Sequence, residues 1–522
     1  MTPRLDRRDA GFLALLLAIA APVYLWNWNA PFIHHWESHG ALYSLHADNL
    51  LRFGTVPLDI VGPTLDNYPD VSRHYHINHP PLPQILLAAA FKLCGSSEAS
   101  FRGLLTLFAF GGIVVLTALL RAAVDRTTAW TGAAIYAFMP LIAYYSTVNG
   151  QLAMLMFFAF LELLAYLSWR AGKGSGWLAV LVAAHALGCW IDWQMYYVPL
   201  VIAAHELWTR RAWRLGAALA GLNIAVFLSY LLFVHSLGEV ESLFTLGHNR
   251  LLHVPVLDQL RAEGREIGLH MTAAATGAAL LGLGLAFRRR TEEGMKFVLC
   301  LPLLGMDEIL FREYVWEHDF LTYPLAAFFA ALAAMGVATV ARKAEWPRWA
   351  RAGAVAVFAA AFIAQAALVL RDRVVNVGRD GMSHHVALAV RDVVDPADRV
   401  FVISRPGPAH LGFYAGCYVE IFDRESGLIA RSTVGPRDGP FTLDQALGEV
   451  EKGRRRADWV VFAERERFLQ ASPSMAALPE PGRSAVLSWW YIDLDEAALI
   501  ERLRPLTKRV QHARGFTFLK IK

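Results

Sequence analysis

Eleven apolar stretches divide this chain, and the connectors between them alternate in charge. The stretches lie at about 11–29, 99–120, 128–147, 151–169, 176–192, 195–208, 215–237, 267–287, 295–311, 320–341 and 352–370. Most approach the roughly 20 residues that a helix needs to cross the hydrocarbon core of a bilayer. No water reaches that core to satisfy backbone amides and carbonyls, so apolar runs of this length are expected to be helices. The 195–208 stretch is short and reads either as a span or as a re-entrant segment.

The connectors supply the orientation. Residues 1–10 hold Arg4, Arg7 and Arg8, residues 121–127 hold Arg121 and Arg126, and residues 170–175 hold Arg170 and Lys173. Residues 209–214 hold Arg210, Arg211 and Arg214, while 288–296 and 342–351 hold four Lys or Arg each. The opposite short connectors, 148–150 and 193–194, hold none. Lys and Arg accumulate on the cytoplasmic side of membrane proteins, so the N-terminus is expected in the cytoplasm. Eleven crossings then place the C-terminus outside. The first run follows three arginines as a signal peptide would. It is long, lacks a small-residue cleavage site and precedes ten further runs, so it reads as a retained span. Charged residues make up 18% of the chain, against about 25% in soluble domains. With a net charge of only +4, the basic residues read as topology signals, and no nucleic-acid partner is expected. The four cysteines, Cys94, Cys189, Cys300 and Cys417, form no CxxC and suggest neither a zinc site nor a disulfide framework.

The expected architecture is a polytopic α-helical membrane protein of about eleven transmembrane helices over residues 1–370. Residues 37–53 and 81–94, in the first outer loop, read as two interfacial helices. The composition changes after Arg371. Runs at 400–404, 418–422, 459–462 and 516–521 read as strands, and 383–393 and 442–452 read as helices. Residues 371–522 are therefore expected to form an extracytoplasmic α/β domain of ordinary size.

Ionisable and aromatic residues gather on the connectors assigned to the outer side. The first outer loop contains His34-His-Trp-Glu-Ser-His-Gly-Ala-Leu-Tyr, then Tyr75-His-Ile-Asn-His-Pro-Pro-Leu, then Phe91-Lys-Leu-Cys-Gly-Ser-Ser-Glu-Ala-Ser-Phe-Arg. Glu37 is a candidate catalytic carboxylate; the plain alternative is a helix-start acid favourable to the helix dipole. Asp192, within Trp190-Ile-Asp-Trp-Gln, is a second candidate, or a solvated acid in an interfacial aromatic belt. Asp319 is the third. It shares the connector Arg312-Glu-Tyr-Val-Trp-Glu-His-Asp with Arg312 and His318, and so many ionisable groups beside a membrane are costly unless used or paired. His248 and Arg250 are candidates for holding an anionic substrate group, or belong to a plain surface loop. His79, Asn149 and Gln151 are further substrate-binding candidates; Asn149 and Gln151 lack charge, which suits binding rather than proton transfer. The spacing His74-x-His76-x-x-His79 is not a helical ligand pattern, and no metal is expected.

The order of these motifs resembles the polyprenyl-phosphate-sugar glycosyltransferases of the C superfamily, in particular bacterial family 39 members. Their kin include protein O-mannosyltransferases and lipid A aminoarabinose transferases. In that family an acidic pair follows the first span, a Lys/His-Pro-Pro-Leu segment opens an interfacial helix, and a Gly…Glu…Arg signature enters the second span. The layout is shared over roughly residues 10–340 and the motifs over about 30–105. The resemblance implies inverting, metal-independent and cofactor-free sugar transfer to a lipid, protein or polysaccharide acceptor in the cell envelope. One departure stands out. Counting back from Tyr43, the usual acidic pair falls on His39 and Gly40, so the carboxylate is displaced to Glu37 or supplied from elsewhere.

Such transfer needs a group to take the proton from the acceptor hydroxyl. It also needs cations or donors to absorb charge on the leaving phosphate. A transporter or flippase of a lipid-linked substrate is the alternative. It predicts mid-span charges and repeated halves; the chain shows few of the former, chiefly Glu162 with Asp307 and Glu308 near a span end, and no repeat. A membrane scaffold presenting the outer domain is a third reading, and it would not need acids gathered on the membrane part.

Overall fold

The computed structural model describes residues 5–34, 37–54, 75, 77, 79–210, 213–241, 243–244, 255–311, 320, 322–375, 379–395, 397–403, 410–415, 417–423, 428–431, 445, 447, 457–463 and 496–521. The chain divides into two compact units: residues 1–28, 77–83 and 102–372 form one, and residues 29–76, 84–101 and 373–522 the other.

Helices occupy every expected apolar stretch. In chain order they are α1 (Arg7–Tyr24), α2 (Ser38–Phe53), α3 (Leu82–Cys94), α4 (Glu98–Ala123), α5 (Arg126–Phe138), α6 (Pro140–Val148), α7 (Leu152–Arg170), α8 (Gly176–Cys189), α9 (Val198–Arg210), α10 (Arg214–Ser236), α11 (Val256–His270), α12 (Ala273–Arg288), α13 (Glu293–Cys300), α14 (Ala326–Arg342) and α15 (Arg348–Val375). Among the described residues, five helical stretches are long and apolar enough to cross a membrane: α4, α7, α10, Tyr323–Arg342 and Arg348–Val374. The α11–α12 pair, bent by 108°, adds a sixth if taken as one span. Other apolar runs are broken. Between α5 and α6, Met139 is extended at ψ 127 because Pro140 follows it. The 295–311 run is cut into α13, a 3-10 turn at Leu301–Gly305 and a short turn at Asp307–Leu310.

The first unit packs by close approach of small residues. Along α12, Ala275, Ala279, Gly282 and Ala286 are buried. Along α14 the buried set includes Ala330, Ala331, Ala333, Ala334 and Gly336. Small side chains let helix backbones approach closely, which is how apolar helices associate where lipid removes the hydrophobic drive. At the start of α1, Asp6 caps the helix with a reciprocal bond to Asp9, and Asp9 Oδ1 also accepts from the Trp130 indole at 2.9 Å.

In the second unit a six-stranded sheet has the order β3-β2-β1-β4-β6-β5. Its strands are β1 (Arg399–Ile403), β2 (Tyr418–Asp423), β3 (Leu428–Arg431), β4 (Trp459–Ala463), β5 (Thr507–Ala513) and β6 (Phe516–Ile521). β2 and β4 flank β1 in parallel, and the other pairings are antiparallel. Strand side chains alternate between faces. Val400 and Val402 therefore pack with Val386 and Val390 of α16 (Arg379–Val393), while Phe401 and Ile403 pack on the other face with Leu499 and Leu503 of α17 (Glu496–Leu503). The four expected strands are found, and β3 and β5 add to them. All but residues 445 and 447 of the expected 442–452 helix lies outside the described residues.

Acid sensitivity follows from His384 on α16. Burial, and then His410, His385, Arg391 and Arg514 nearby, pull its imidazole from an ordinary 6.5 down to about 4. The ring also lies 4.5 Å from that of Tyr414. Between those two pH values the unfolded chain binds a proton that the folded chain refuses, so stability rises with pH in this window and is lost as pH falls through it. Thermal unfolding of this unit is expected to shift to lower temperature as pH falls from 6.5 towards 4, and less so in His384→Gln. An equal shift in both proteins would refute the assignment.

Candidate active site

The residues that converge come from three connectors of the first unit and from the turn at Asp307–Leu310. The loop 77–83 is pinned at both ends: the Tyr230 hydroxyl donates to the Ile77 carbonyl at 2.8 Å, and the Leu82 amide donates to the Trp190 carbonyl at 3.1 Å. Between these anchors sits His79, followed by two prolines that fix the backbone. Its Nδ1 lies 3.0 Å from Asp192 Oδ2. An ionised carboxylate only accepts, so Nδ1 bears the proton in this pair and Nε2 is the nitrogen able to take one up.

Asp192 is presented by a sharp corner. α8 ends at Cys189, the Asp192 amide donates to the Gly188 carbonyl at 3.1 Å, and Asp192 Oδ1 caps the next turn by accepting from the Gln194 amide at 3.0 Å. A Cβ at Gly188 would come within 2.6 Å of the Met195 side chain, which would have to move aside. Trp190 and Trp193 pack edge-on against Tyr230, at 6.0 and 5.0 Å between ring centres. Asp192 is only 4% exposed, so the reading of it as a solvated acid in an aromatic belt does not hold.

The hairpin between α6 and α7 supplies Asn149 and Gln151. The Asn149 side-chain oxygen accepts from the Gln151 amide at 3.1 Å, the local bond that makes Asn a turn former. Gln151 Nε2 stands 3.3 Å from His79 Nδ1. Asn149 Nδ2 is buried and finds no partner among the described residues, which is uncommon for a buried donor. Gln194 extends the cluster by donating its side-chain amide to Asp307 Oδ2. Sequence reasoning does not reach either residue as part of the site. Asp307 reads there only as a charge near a span end, and a Gln beside a catalytic candidate carries no signal of its own.

Glu37 belongs to the second unit. It is 1% exposed, and its Oε2 accepts from the amides of Ile33 at 2.7 Å and His34 at 2.9 Å. It therefore closes the turn that leads into α2. Nearby, Tyr414 accepts from the Phe32 amide and donates to Glu98 Oε1, both at 2.8 Å. Gly40, where the family's acidic pair would reach, faces the Phe32 ring: a Cβ there would sit 2.5 Å from it. Asp319, Arg312, His318, Arg250 and His248 lie outside the described residues.

Residues 78–240 match the model of the dolichyl-phosphate-mannose-protein mannosyltransferase family. No curated protein matches the chain. Among solved structures it is similar to ArnT from Cupriavidus metallidurans bound to undecaprenyl phosphate, at 12% identity over 98% of each chain with a TM-score of 0.62. It is also similar to the Archaeoglobus fulgidus oligosaccharyltransferase tethered to an acceptor peptide, at 13% identity over 91% of this chain and 71% of that one, with a TM-score of 0.59. A third match is AglB from the same organism in complex with an inhibitory peptide and a dolichol-phosphate, at 12% identity over 92% of this chain and 72% of that one, with a TM-score of 0.57. His79, Asn149, Gln151, Asp192 and Gln194 all fall inside the matched segment, and Glu37 and Asp307 fall outside it. The resemblance is thus borne out at family level: residues 78–240 carry the mannosyltransferase family pattern, on a chain that has the fold of ArnT and of the oligosaccharyltransferase.

Proposed function

We propose that this chain is a membrane glycosyltransferase that moves a sugar from a polyprenyl-phosphate donor to an acceptor on the extracytoplasmic face. The observation that carries the reading is the buried His79–Asp192 pair at 3.0 Å beside Gln151, within the matched segment. ArnT and AglB, which share the fold, were solved with undecaprenyl phosphate and with a dolichol-phosphate respectively. In the transfer, the acceptor oxygen forms a bond to the sugar's anomeric carbon. The bond from that carbon to the phosphate oxygen breaks, and the phosphate keeps the electron pair. The acceptor proton passes to the His79–Asp192 pair, whose carboxylate stabilises the imidazolium that forms. Asn149 and Gln151 hold hydroxyl or phosphate oxygens. Arg312, Arg250, His318 and His248 are proposed for the leaving phosphate, and Glu37 and Asp319 stand as alternative bases. The reading uses no cofactor and no metal.

The test is reconstitution with polyprenyl-phosphate sugars and candidate acceptors. Release of polyprenyl phosphate, with a matching mass gain on an acceptor, is expected. Movement of the intact donor between leaflets without such release would favour a transporter instead.

The reading includes eleven crossings, a cytoplasmic N-terminus and a membrane part, residues 1–370, joined to an outer part, residues 371–522. It is supported by the Lys and Arg asymmetry of the connectors. In a Cys94→Ser background, cysteine at Lys508 is expected to react with an impermeant thiol reagent in intact cells. Cysteine at Thr291 is expected to react only after lysis. Labelling at Thr291 in sealed cells would reverse the orientation.

A further inference from the structure

A second polar cluster ties together the opposite ends of the helices that build this site. At the C-terminal end of α7, the Arg170 side chain is only 5% exposed. Its Nη1 donates to the Tyr166 hydroxyl at 2.8 Å and to Glu206 Oε1 at 2.7 Å. Its Nη2 donates to Thr209 Oγ1 at 2.7 Å and pairs with Glu293 Oε1 at 2.6 Å. His205 joins through Nδ1, 2.7 Å from the Tyr166 hydroxyl, and through Nε2, 3.2 Å from the Glu293 carbonyl. One guanidinium thus binds groups from α7, α9 and α13.

Those three helices lead to the site. α7 begins at Gln151, its N-cap residue. α9 continues back through the 3-10 turn Trp193–Tyr197 to Gln194 and Asp192. α13 runs on through Leu301–Gly305 to Asp307. At a rise of about 1.5 Å per residue, the 19 residues of α7 put roughly 28 Å between its two ends. The segments touch at both ends: α7 packs on α9 and α9 on α13, and the turn Trp193–Tyr197 packs on Leu301–Gly305.

We propose that Arg170 is a positioning residue. Its network, buried at Glu206 and exposed at Glu293, fixes the axial register of α7, α9 and α13, and through it the mutual placement of Gln151, Asp192, Gln194 and Asp307. The proposal rests on the reading of that far end as the reacting site. The physical argument concerns sliding. Apolar helix faces resist a small axial shift weakly, whereas hydrogen bonds at 2.6–2.8 Å do not survive it. A slip of one residue moves a helix about 1.5 Å, and a misplacement of about 1 Å in a reacting site costs on the order of 10²-fold in rate. A cleft of about 180 Å³, lined among others by Arg170, His205, Arg210 and Glu293, opens beside the network. Buried ion pairs add little net stability, and specifying one arrangement is their best-attested use.

The test compares Arg170→Lys with the double variant Arg170→Met/Glu206→Leu. Lysine keeps the charge but cannot span four partners as a planar guanidinium does. The double variant strands no buried partner at Glu206 and so keeps the test valid if a single change misfolds. Two readouts are taken on folded protein. Hydrogen exchange at Trp193–Tyr197 and Leu301–Gly305 is expected to rise by roughly tenfold. The kcat of transfer is expected to fall by about 10- to 100-fold with KM little changed. Exchange changes confined to residues 166–171, 203–210 and 293–297, with kcat as in wild type, would overturn the proposal. If the wild-type protein transfers no sugar, the reading of function fails separately, and the exchange measurement still decides the role of Arg170.

Discussion

Asp192→Asn is expected to lower sugar transfer by roughly 10²–10⁴-fold, about 3–5 kcal/mol of transition-state stabilisation. The substitution preserves shape. The Asn oxygen can still accept from the Gln194 amide, so the corner after α8 keeps its cap. What changes is the atom facing His79. A carboxylate oxygen accepts from Nδ1 across the 3.0 Å contact, whereas an amide nitrogen donates to it. The ring is then held in the other tautomer, with Nε2 protonated and unable to receive the acceptor's proton. Donor binding is expected to survive, so the loss falls on kcat. Two companions separate the roles. His79→Gln is expected to be as damaging as Asp192→Asn. His79→Lys is expected to stay damaged if the ring moves a proton, and to recover in part if its task is to hold the donor phosphate. Near-normal turnover in Asp192→Asn would remove the pair from the mechanism. Glu37→Gln, which keeps an acceptor for the amides of Ile33 and His34, would then be the decisive variant.

Periodicity and charge make the helical layout readable. Each apolar run lies on a helix because lipid leaves the backbone no other partner. The breaks are less readable. Pro140 marks the α5–α6 interruption and Pro302 the division at Leu301, but Gly305 is only a weak signal for the second division at Met306. In the second unit, the runs rich in Val, Ile and Phe that form β1, β2, β4 and β6 are visible in the sequence. β5 is not, because Thr507-Lys-Arg-Val-Gln-His-Ala is an edge strand with exposed Lys508 and Arg509. Edge strands carry charge to deter further pairing, which erases their apolar signature. The site is half readable. His79, Asn149, Gln151 and Asp192 stand out singly in separated segments, and only the fold shows that they meet. Spacing also does not reveal that Gly40 faces the Phe32 ring, which a side chain there would meet. Arg170 reads as a topology charge, since sequence cannot distinguish a solvated arginine at a helix end from one buried among Glu206, Thr209 and Glu293.

Gly282→Val is expected to abolish recovery of folded protein, and Gly282→Ala to lower its thermal stability sharply. A Cβ at Gly282 would sit 1.9 Å from the Leu332 carbonyl oxygen, and one at Gly336 would sit 2.2 Å from that of Ala278. These are backbone atoms in the middle of α12 and α14, so no side-chain rotation relieves the overlap. The helices must part, and parting forfeits dispersion contacts along the whole seam of Ala275, Ala279 and Ala286. Overpacking of an ordinary core costs about 1–3 kcal/mol. Here the obstruction is a carbonyl, so the effect is expected at or beyond the top of that range. The helix itself provides the control. Gly277 and Gly284 lie on α12, and a Cβ at either would meet nothing within 4 Å. Alanine at either is expected to be neutral or stabilising, by up to about 1 kcal/mol of helix propensity. Size-exclusion profiles and thermal unfolding of the three alanine variants check this directly. Equal behaviour of Gly282→Ala and Gly284→Ala would mean that α12 and α14 do not meet backbone to backbone. Loss at Gly282 alone would show that this seam, rather than apolar surface in general, holds the helix pair together.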